Sequence, residues 1–313
     1  MKHNGNNGSR LKKNGQAPNG SLGPVENLEH YLQPDWWRRI FNSMYLKTDA
    51  DVVEDLQITR KEVDLFTDIL GLEKNMVILD LACGQGRHSL ELARRGFKNV
   101  NGLDRSHFLI RKAKNIGSTE QLNTSFREGD ARKLPYPADT FDVVMILGNS
   151  FGYFESTEDD IKILKEVRRV LKPFGKFLID VADGHYLRDN FNPRSWEWID
   201  NKHFVCRERS LASDNQRLIS REVISNINKG VILDQFYAER LYNKESLTGM
   251  FDRTGYSQVT FQGNLETDSK RNQDLGMMER RIIDIVKPGG FFADADFDTI
   301  RRLKIALSRL NDH

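Results

Sequence analysis

The chain is poor in cysteine. Cys83 and Cys206 are the only two in 313 residues. Neither falls in a spacing that holds a metal, so neither a disulfide scaffold nor a metal site is expected. Unpaired thiols point to a reducing compartment, read here as the cytoplasm. Long apolar runs are missing as well: none approaches the roughly 18 residues of a membrane span. The first residues hold no apolar signal core. Nor is there an excess of either charge, since 47 Lys and Arg face 45 Asp and Glu. That balance gives no long-range attraction to a polyanion, so neither nucleic acid nor membrane is an expected partner.

What the chain does contain changes along its length. Residues 1–24 are rich in Asn, Gly, Lys and Ser and hold no acid, which reads as a disordered basic tail. Residues 25–70 read as a helical cap. Trp36, Trp37, Ile40, Phe41, Met44 and Tyr45 recur at helical spacing. A second helix follows Thr59 and ends at Gly71. From 71 to about 290, strands alternate with helices, the pattern of a doubly wound, mostly parallel α/β sheet. Expected strands are Met76–Leu81, Asn99–Leu103, Thr124–Glu128, Phe141–Leu147 and Lys176–Val181. Ser156 and Asp159 suggest a capping box opening the helix before the fifth strand. Between about 195 and 241 the rhythm breaks into consecutive extended segments, read as an antiparallel insertion. Two more strands follow, and residues 291–313 carry a final amphipathic helix over 298–310.

The chemistry gathers at strand ends. The first strand runs into Asp80-Leu81-Ala82-Cys83-Gly84-Gln85-Gly86, an acid followed by a small-residue turn into a helix. Gly84 and Gly86 are expected to let a ligand approach the backbone, with the helix N–H groups behind it. Asp104 ends the second strand, where an acid accepts hydrogen bonds from ribose hydroxyls. Asp130 and Ala131 follow the third, and Asn149 the fourth. All lie at the carboxyl edge of one sheet. A nicotinamide fingerprint would need a third glycine where Ser89 stands.

In these segments, VILDLACGQGRHSLELARRG, VNGLDRS, EGDARKLPY, FDVVMILGNSFGYF and EVRRVLKPFGKFLID, the chain resembles the class I S-adenosylmethionine-dependent methyltransferases. The resemblance spans about Glu62 to Pro288. It implies a seven-stranded sheet with the last strand antiparallel, and S-adenosyl-L-methionine as cofactor. It implies that Asp80 and the Ala82–Gly86 turn hold the amino-acid end, Asp104 the ribose, and Asp130 with Ala131 the adenine. Asn149 would lie beneath the sulfonium. Ala82 departs from the glycine usual at that position, and a methyl group there is expected to be tolerated.

The acceptor is less marked. Transfer from a sulfonium needs alignment above all, and a base only for a protonated acceptor. His88, His185 and His203 are the candidate bases, and His185, just past the fifth strand, is the catalytic candidate. Trp37, Tyr45, Phe151, Tyr153, Trp196 and Tyr237 are the aromatic candidates for the acceptor pocket. Trp36 and Trp37 are adjacent and cannot share one helix face. The Pro-Pro turn of amino-directed nucleic-acid methyltransferases is absent after Asn149. A small-molecule acceptor, methylated on O, N or C, is therefore the expectation. The alternatives are a non-catalytic S-adenosylmethionine-binding regulator and an RNA or protein methyltransferase.

Overall fold

The computed structural model describes residues 22–264 and 281–288. The expected C-terminal helix lies outside the described residues, as do residues 1–21 of the expected tail. Seven strands form the main sheet: β1 (Val77–Leu81), β2 (Asn99–Asp104), β3 (Thr124–Glu128), β4 (Phe141–Ile146), β5 (Leu171–Ala182), β10 (Tyr256–Asn264) and β11 (Arg281–Pro288). Their order is β10-β11-β5-β4-β1-β2-β3. The first five pair in parallel, and β11 runs antiparallel to both β5 and β10.

β4 carries almost nothing but apolar residues because both its faces are covered. On one face α6 (Thr157–Val170) and α8 (Lys244–Arg253) bury Leu164, Val167 and Phe251 against Val144, Phe177 and Ile179. On the other, α3 (Leu56–Leu70) and α4 (Arg87–Arg94) bury Val63, Phe66 and Leu92 against Ile78, Val143 and Leu178. Gly71 closes α3 in the left-handed conformation (φ 58°), as the sequence reading expects. Strand order reverses between β1 and β4, which opens a crevice at their carboxyl ends. The turns carrying Asp80–Gly86 and Gly148–Tyr153 flank it.

The second sheet, in the order β6-β7-β8-β9, is antiparallel throughout. Its strands are β6 (Arg194–Trp198), β7 (His203–Leu211), β8 (Arg217–Asn226) and β9 (Gly230–Arg240). The N-terminal segment covers one end of its outer face, with Leu28 and Trp36 against Ile219 and Ala238.

Three local expectations are corrected. Residues 36–45 do not form one amphipathic helix. A short 3-10 turn (Trp36–Arg38) gives way to turns and then to α1 (Tyr45–Thr48) and α2 (Ala50–Val53). The aromatic residues are spread along an irregular strap, so Trp36 and Trp37 both reach the interior. Ser156 caps the helix, but its hydroxyl accepts from the Glu158 N–H at 3.1 Å rather than from Asp159, so the box does not form. The Asp159 carboxylate instead binds Arg132 (2.9 Å) and Lys162 (2.8 Å). Finally, α6 passes directly into β5, so the fifth strand starts at Leu171 rather than at the expected Lys176.

Candidate functional site

A two-lobed cleft runs along the carboxyl edge at the switch point. Its lobes share Phe41, Tyr45, Ala82, Gly84, Ser150 and Tyr153. Two non-glycine residues at this cleft hold left-handed backbone, Ala82 (φ 59°) and Asn149 (φ 58°). For alanine that conformation costs roughly 1–2 kcal/mol. Strain of this kind persists where the surrounding structure fixes a turn.

The first lobe is lined by Leu103, Asp104, Leu109, Asp130, Ala131, Trp37, Phe154 and Ile163. Asp104 braces the floor: Oδ2 accepts from the Gly84 N–H (2.8 Å) and Oδ1 from the Ser106 N–H (2.7 Å). Burial pushes its carboxyl above the usual range, against the pull of those two backbone bonds. A carboxylate has about four acceptor positions, so both oxygens keep a lone pair for hydroxyl donors. Burial also pushes Asp130 upward, but the Arg132 side chain and backbone N–H, with the charge of Arg105, together hold the carboxyl below its ordinary value. Arg132 donates Nη2 to Asp130 (2.8 Å) and Nη1 to Asp159 (2.9 Å). Its guanidinium lies 4.3 Å from the Phe154 ring centre. Phe154 in turn meets Trp37 edge-on at 4.9 Å.

The second lobe begins at Asp80, buried and bonded by the Ser89 hydroxyl at 2.7 Å. Burial raises its carboxyl too. Gly86 caps α4 without a side-chain oxygen, so the first N–H groups of the helix lack a side-chain cap. Arg87 and His88 open that helix, and both are held by the buried Glu62 of α3, His88 at 2.9 Å. Arg87 also donates to Thr59 (3.2 Å). The far wall is the inner face of the antiparallel sheet. Strand alternation turns Glu197, Arg207, Arg209, Glu222, Gln235, Tyr237 and Glu239 to the cleft. Arg207 bonds Glu197 (2.6 Å) and Glu222 (3.1 Å) in a buried triad.

Most of the sequence-predicted residues meet here: Asp80, Ala82, Gly84, Asp104, Asp130, Ala131, Asn149, Trp37, Tyr45, Tyr153 and Tyr237. Burial pushes the Tyr45 and Tyr153 phenols well up, so both stay protonated. Gly86 does not line the cleft. A β-carbon there would meet Phe126 at 2.6 Å, so this glycine serves helix-to-sheet packing rather than ligand approach. Phe151 is 1% exposed and belongs to the core, its ring tilted against Tyr242 at 5.3 Å. Trp196 is 62% exposed, because its neighbour Glu197 takes the inward position on β6. His185 is exposed at the start of α7 (Gly184–Asn190) and lines none of the cleft. Its backbone N–H is bonded to Asp183 at 3.0 Å. His203 closes a hairpin with Asp200 (2.9 Å) and Asn226 (2.8 Å). Of the three histidines only His88 reaches the cleft. The Asn149 side chain is a strut: Oδ1 accepts from Ala182 N–H (2.9 Å) and Nδ2 donates to Glu239 (2.5 Å).

The sequence reading missed Glu62, Arg87 and the charged wall. Polar residues at alternate positions, Arg207 and Arg209 on β7, Ser220 and Glu222 on β8, and Gln235 and Glu239 on β9, were the available signal, but alternation alone reads equally as a solvent face.

An acid at the end of β2, a strained small-residue turn after β1 and a switch-point crevice define an α/β protein built for a nucleoside-containing cofactor. Comparison makes this specific. A family model described as "Methyltransferase domain" matches residues 72–255. A "Putative methyltransferase YqeM" of Bacillus subtilis is 30% identical over 182 residues, which is 57% of this chain and 72% of that protein. A demethylmenaquinone methyltransferase of Lactococcus lactis is 34% identical over 151 residues, 44% of this chain, and the match spans 55% of that relative's length. The crystal structure of an S-adenosylmethionine-dependent methyltransferase from Clostridium acetobutylicum superposes with a TM-score of 0.62 at 22% identity, covering 79% of this chain and 97% of that one. The chain belongs to the class I S-adenosylmethionine-dependent methyltransferases. Its cofactor is S-adenosylmethionine. No helix among the described residues is long and apolar enough to cross a membrane.

Proposed function

We propose that this methyltransferase modifies a small polar molecule bound between the switch-point crevice and the antiparallel sheet. The carrying observation is the continuity of the two lobes through Ala82, Gly84, Ser150 and Tyr153. The residues fit the cofactor. In this reading Asp104 takes the ribose hydroxyls. Asp130, the Ala131 backbone and the Trp37–Phe154 slot take the adenine. Asp80 and the Ala82–Gly84 turn take the ammonium end, and Arg87 with the open start of α4 takes the carboxylate. The cofactor supplies an activated methyl group on a sulfonium. The protein aligns the acceptor and excludes water.

The Lactococcus relative is named for a demethylated menaquinone. Here the acceptor wall carries Glu197, Arg207, Arg209, Glu222 and Glu239, a surface that favours a polar acceptor over an apolar one. Labelled S-adenosylmethionine incubated with the protein and a metabolite extract below about 1 kDa tests the reading. Label in a low-mass product supports it. Label appearing only in RNA or protein added to the same mixture refutes it.

A further inference from the structure

We infer that Tyr45 and Tyr153 form a collar around the sulfonium of the bound cofactor, and that their hydroxyls hold the methyl group and the incoming acceptor atom in line. This rests on the proposed placement of the cofactor and assigns the residues that face its reacting carbon.

The first argument is the path of the cofactor. Asp104 and Asp130 line the first lobe, and Asp80 and Arg87 the second. With the nucleoside in one lobe and the amino-acid end in the other, the sulfur that joins them lies at the junction. Among the residues that line both lobes, Tyr45, Ser150 and Tyr153 carry the polar side chains.

The second argument is electrostatic reach. The Tyr45 phenol feels Asp104 of the first lobe and Asp49 and Arg87 of the second. The Tyr153 phenol feels Tyr45, and also Glu239 and Tyr237 of the antiparallel wall. Tyr45 thus straddles the two halves of the cofactor site, and Tyr153 joins that point to the acceptor wall. Because burial keeps both phenols protonated, they meet a ligand as neutral hydroxyls with one donor and free lone pairs, not as bases.

The third argument is rigidity. The Phe41 ring meets Tyr45 edge-on at 5.2 Å and Tyr153 at 5.7 Å, and Trp36 meets Tyr153 edge-on at 5.5 Å. The Phe41 carbonyl accepts from the Ser106 hydroxyl (2.7 Å), and the Ser106 N–H donates to Asp104. Both rings are therefore braced against the floor that carries the ribose acid. Neither hydroxyl is hydrogen-bonded to another described residue. A fixed ring with an unspent hydroxyl suits in-line transfer, where alignment is the main demand. The hydrogens of a sulfonium methyl are polarised and drawn to oxygen lone pairs, and an N–H or O–H of the acceptor can donate to the neighbouring hydroxyl.

Titration calorimetry on the full chain tests the collar with two cofactor analogues. S-adenosylhomocysteine lacks the methyl group, and sinefungin carries an ammonium in its place. The wild type is expected to bind sinefungin at least about fivefold more tightly. Tyr45→Phe and Tyr153→Phe keep the ring contacts and remove only the hydroxyls. Each should lower that ratio at least about threefold, and the double variant should bring it to about one, with S-adenosylhomocysteine affinity within about twofold of wild type throughout. A wild-type ratio near one overturns the inference. So does a ratio that survives in the double variant, or a loss shared equally by both analogues, which would mark the phenols as walls of the site. Failure of S-adenosylhomocysteine to bind the wild type is a separate result, which removes the cofactor site itself.

Discussion

The carboxylate of Asp104 at the end of β2 accepts a hydrogen bond from the backbone N–H of Gly84 in the turn after β1, at 2.8 Å. Two strand ends are thereby locked together at the crevice. The same acid that we propose holds the ribose also sets the turn proposed to carry the amino-acid end of the cofactor. Binding and local structure are coupled through one side chain.

The two glycines of the turn are predicted to fail differently. Gly86 has φ 75°, and an added β-carbon would lie 2.6 Å from Phe126. Gly86→Ala combines left-handed strain with overpacking and should cost about 2–5 kcal/mol. Gly84 has φ 56° and open space, its nearest neighbour being Leu109 at 3.9 Å. Gly84→Ala should cost only the strain, about 1–2 kcal/mol. Urea unfolding separates them, and equal losses would contradict the packing role of Gly86.

Asp160 gives a pH prediction. Burial raises its carboxyl from 3.8 to about 6, against the Tyr242 hydroxyl bond (2.7 Å) and the Arg240 guanidinium (3.4 Å). Its other oxygen is buried without a hydrogen-bond partner among the described residues. The folded state therefore holds this proton more tightly than the unfolded chain. Its contribution is complete below the unfolded value and is lost as pH rises through about 6. The loss amounts to at most about 3 kcal/mol. Asp160→Asn keeps an acceptor for Tyr242 and should remove this dependence. The stability difference between wild type and variant, followed from pH 4 to pH 8, should shift in the variant's favour as pH rises; a flat difference sinks the prediction.

Arg207 sits between two buried carboxylates, with all three side chains at most 5% exposed. Arg207→Met leaves like charges facing each other in a dry wall and should cost about 3–5 kcal/mol. Adding Glu197→Gln and Glu222→Gln should restore part of that loss. Chemical denaturation of the three variants checks both steps, and a loss below about 1 kcal/mol for the first would show the triad to be well solvated.

His185 and Arg87 make a contrasting pair. His185→Ala should leave turnover and cofactor affinity unchanged, since the imidazole is exposed outside the cleft. Arg87→Ala should weaken cofactor binding roughly 10–100-fold, the range for a hydrogen bond to a charged group. Steady-state kinetics with varied cofactor distinguishes the two. A large effect at His185 would restore it as a base.

Much of this site is written in short-range sequence. Asp80 follows an apolar run, and Asp104 and Asp130 follow the short extended segments Asn99–Leu103 and Thr124–Glu128, so the strand ends give their positions directly. The cores of β1, β4 and β5 are legible because burial on both faces leaves nearly continuous apolar stretches, whereas the edge strand β3 is largely exposed. What escapes depends on distant partners. Gly86 looks like a ligand glycine until Phe126, far along the chain, is seen beside it. Trp196 and Glu197 are neighbours, and only the placement of the sheet says which one faces the cleft. The charged wall alternates as a solvent-exposed face would, and nothing local reveals that a cavity lies in front of it. Trp36 and Trp37 could not be apportioned by helical spacing because their segment is not a regular helix.

The account stands most directly on one titration. S-adenosylhomocysteine added to the wild-type chain and to Asp104→Ala, followed by calorimetry, should show micromolar binding in the first. The variant should retain a cooperative unfolding transition and lose about 1–3 kcal/mol of binding free energy. No binding to the wild type, or equal affinity in the two proteins, would contradict the assignment of the crevice as the cofactor site.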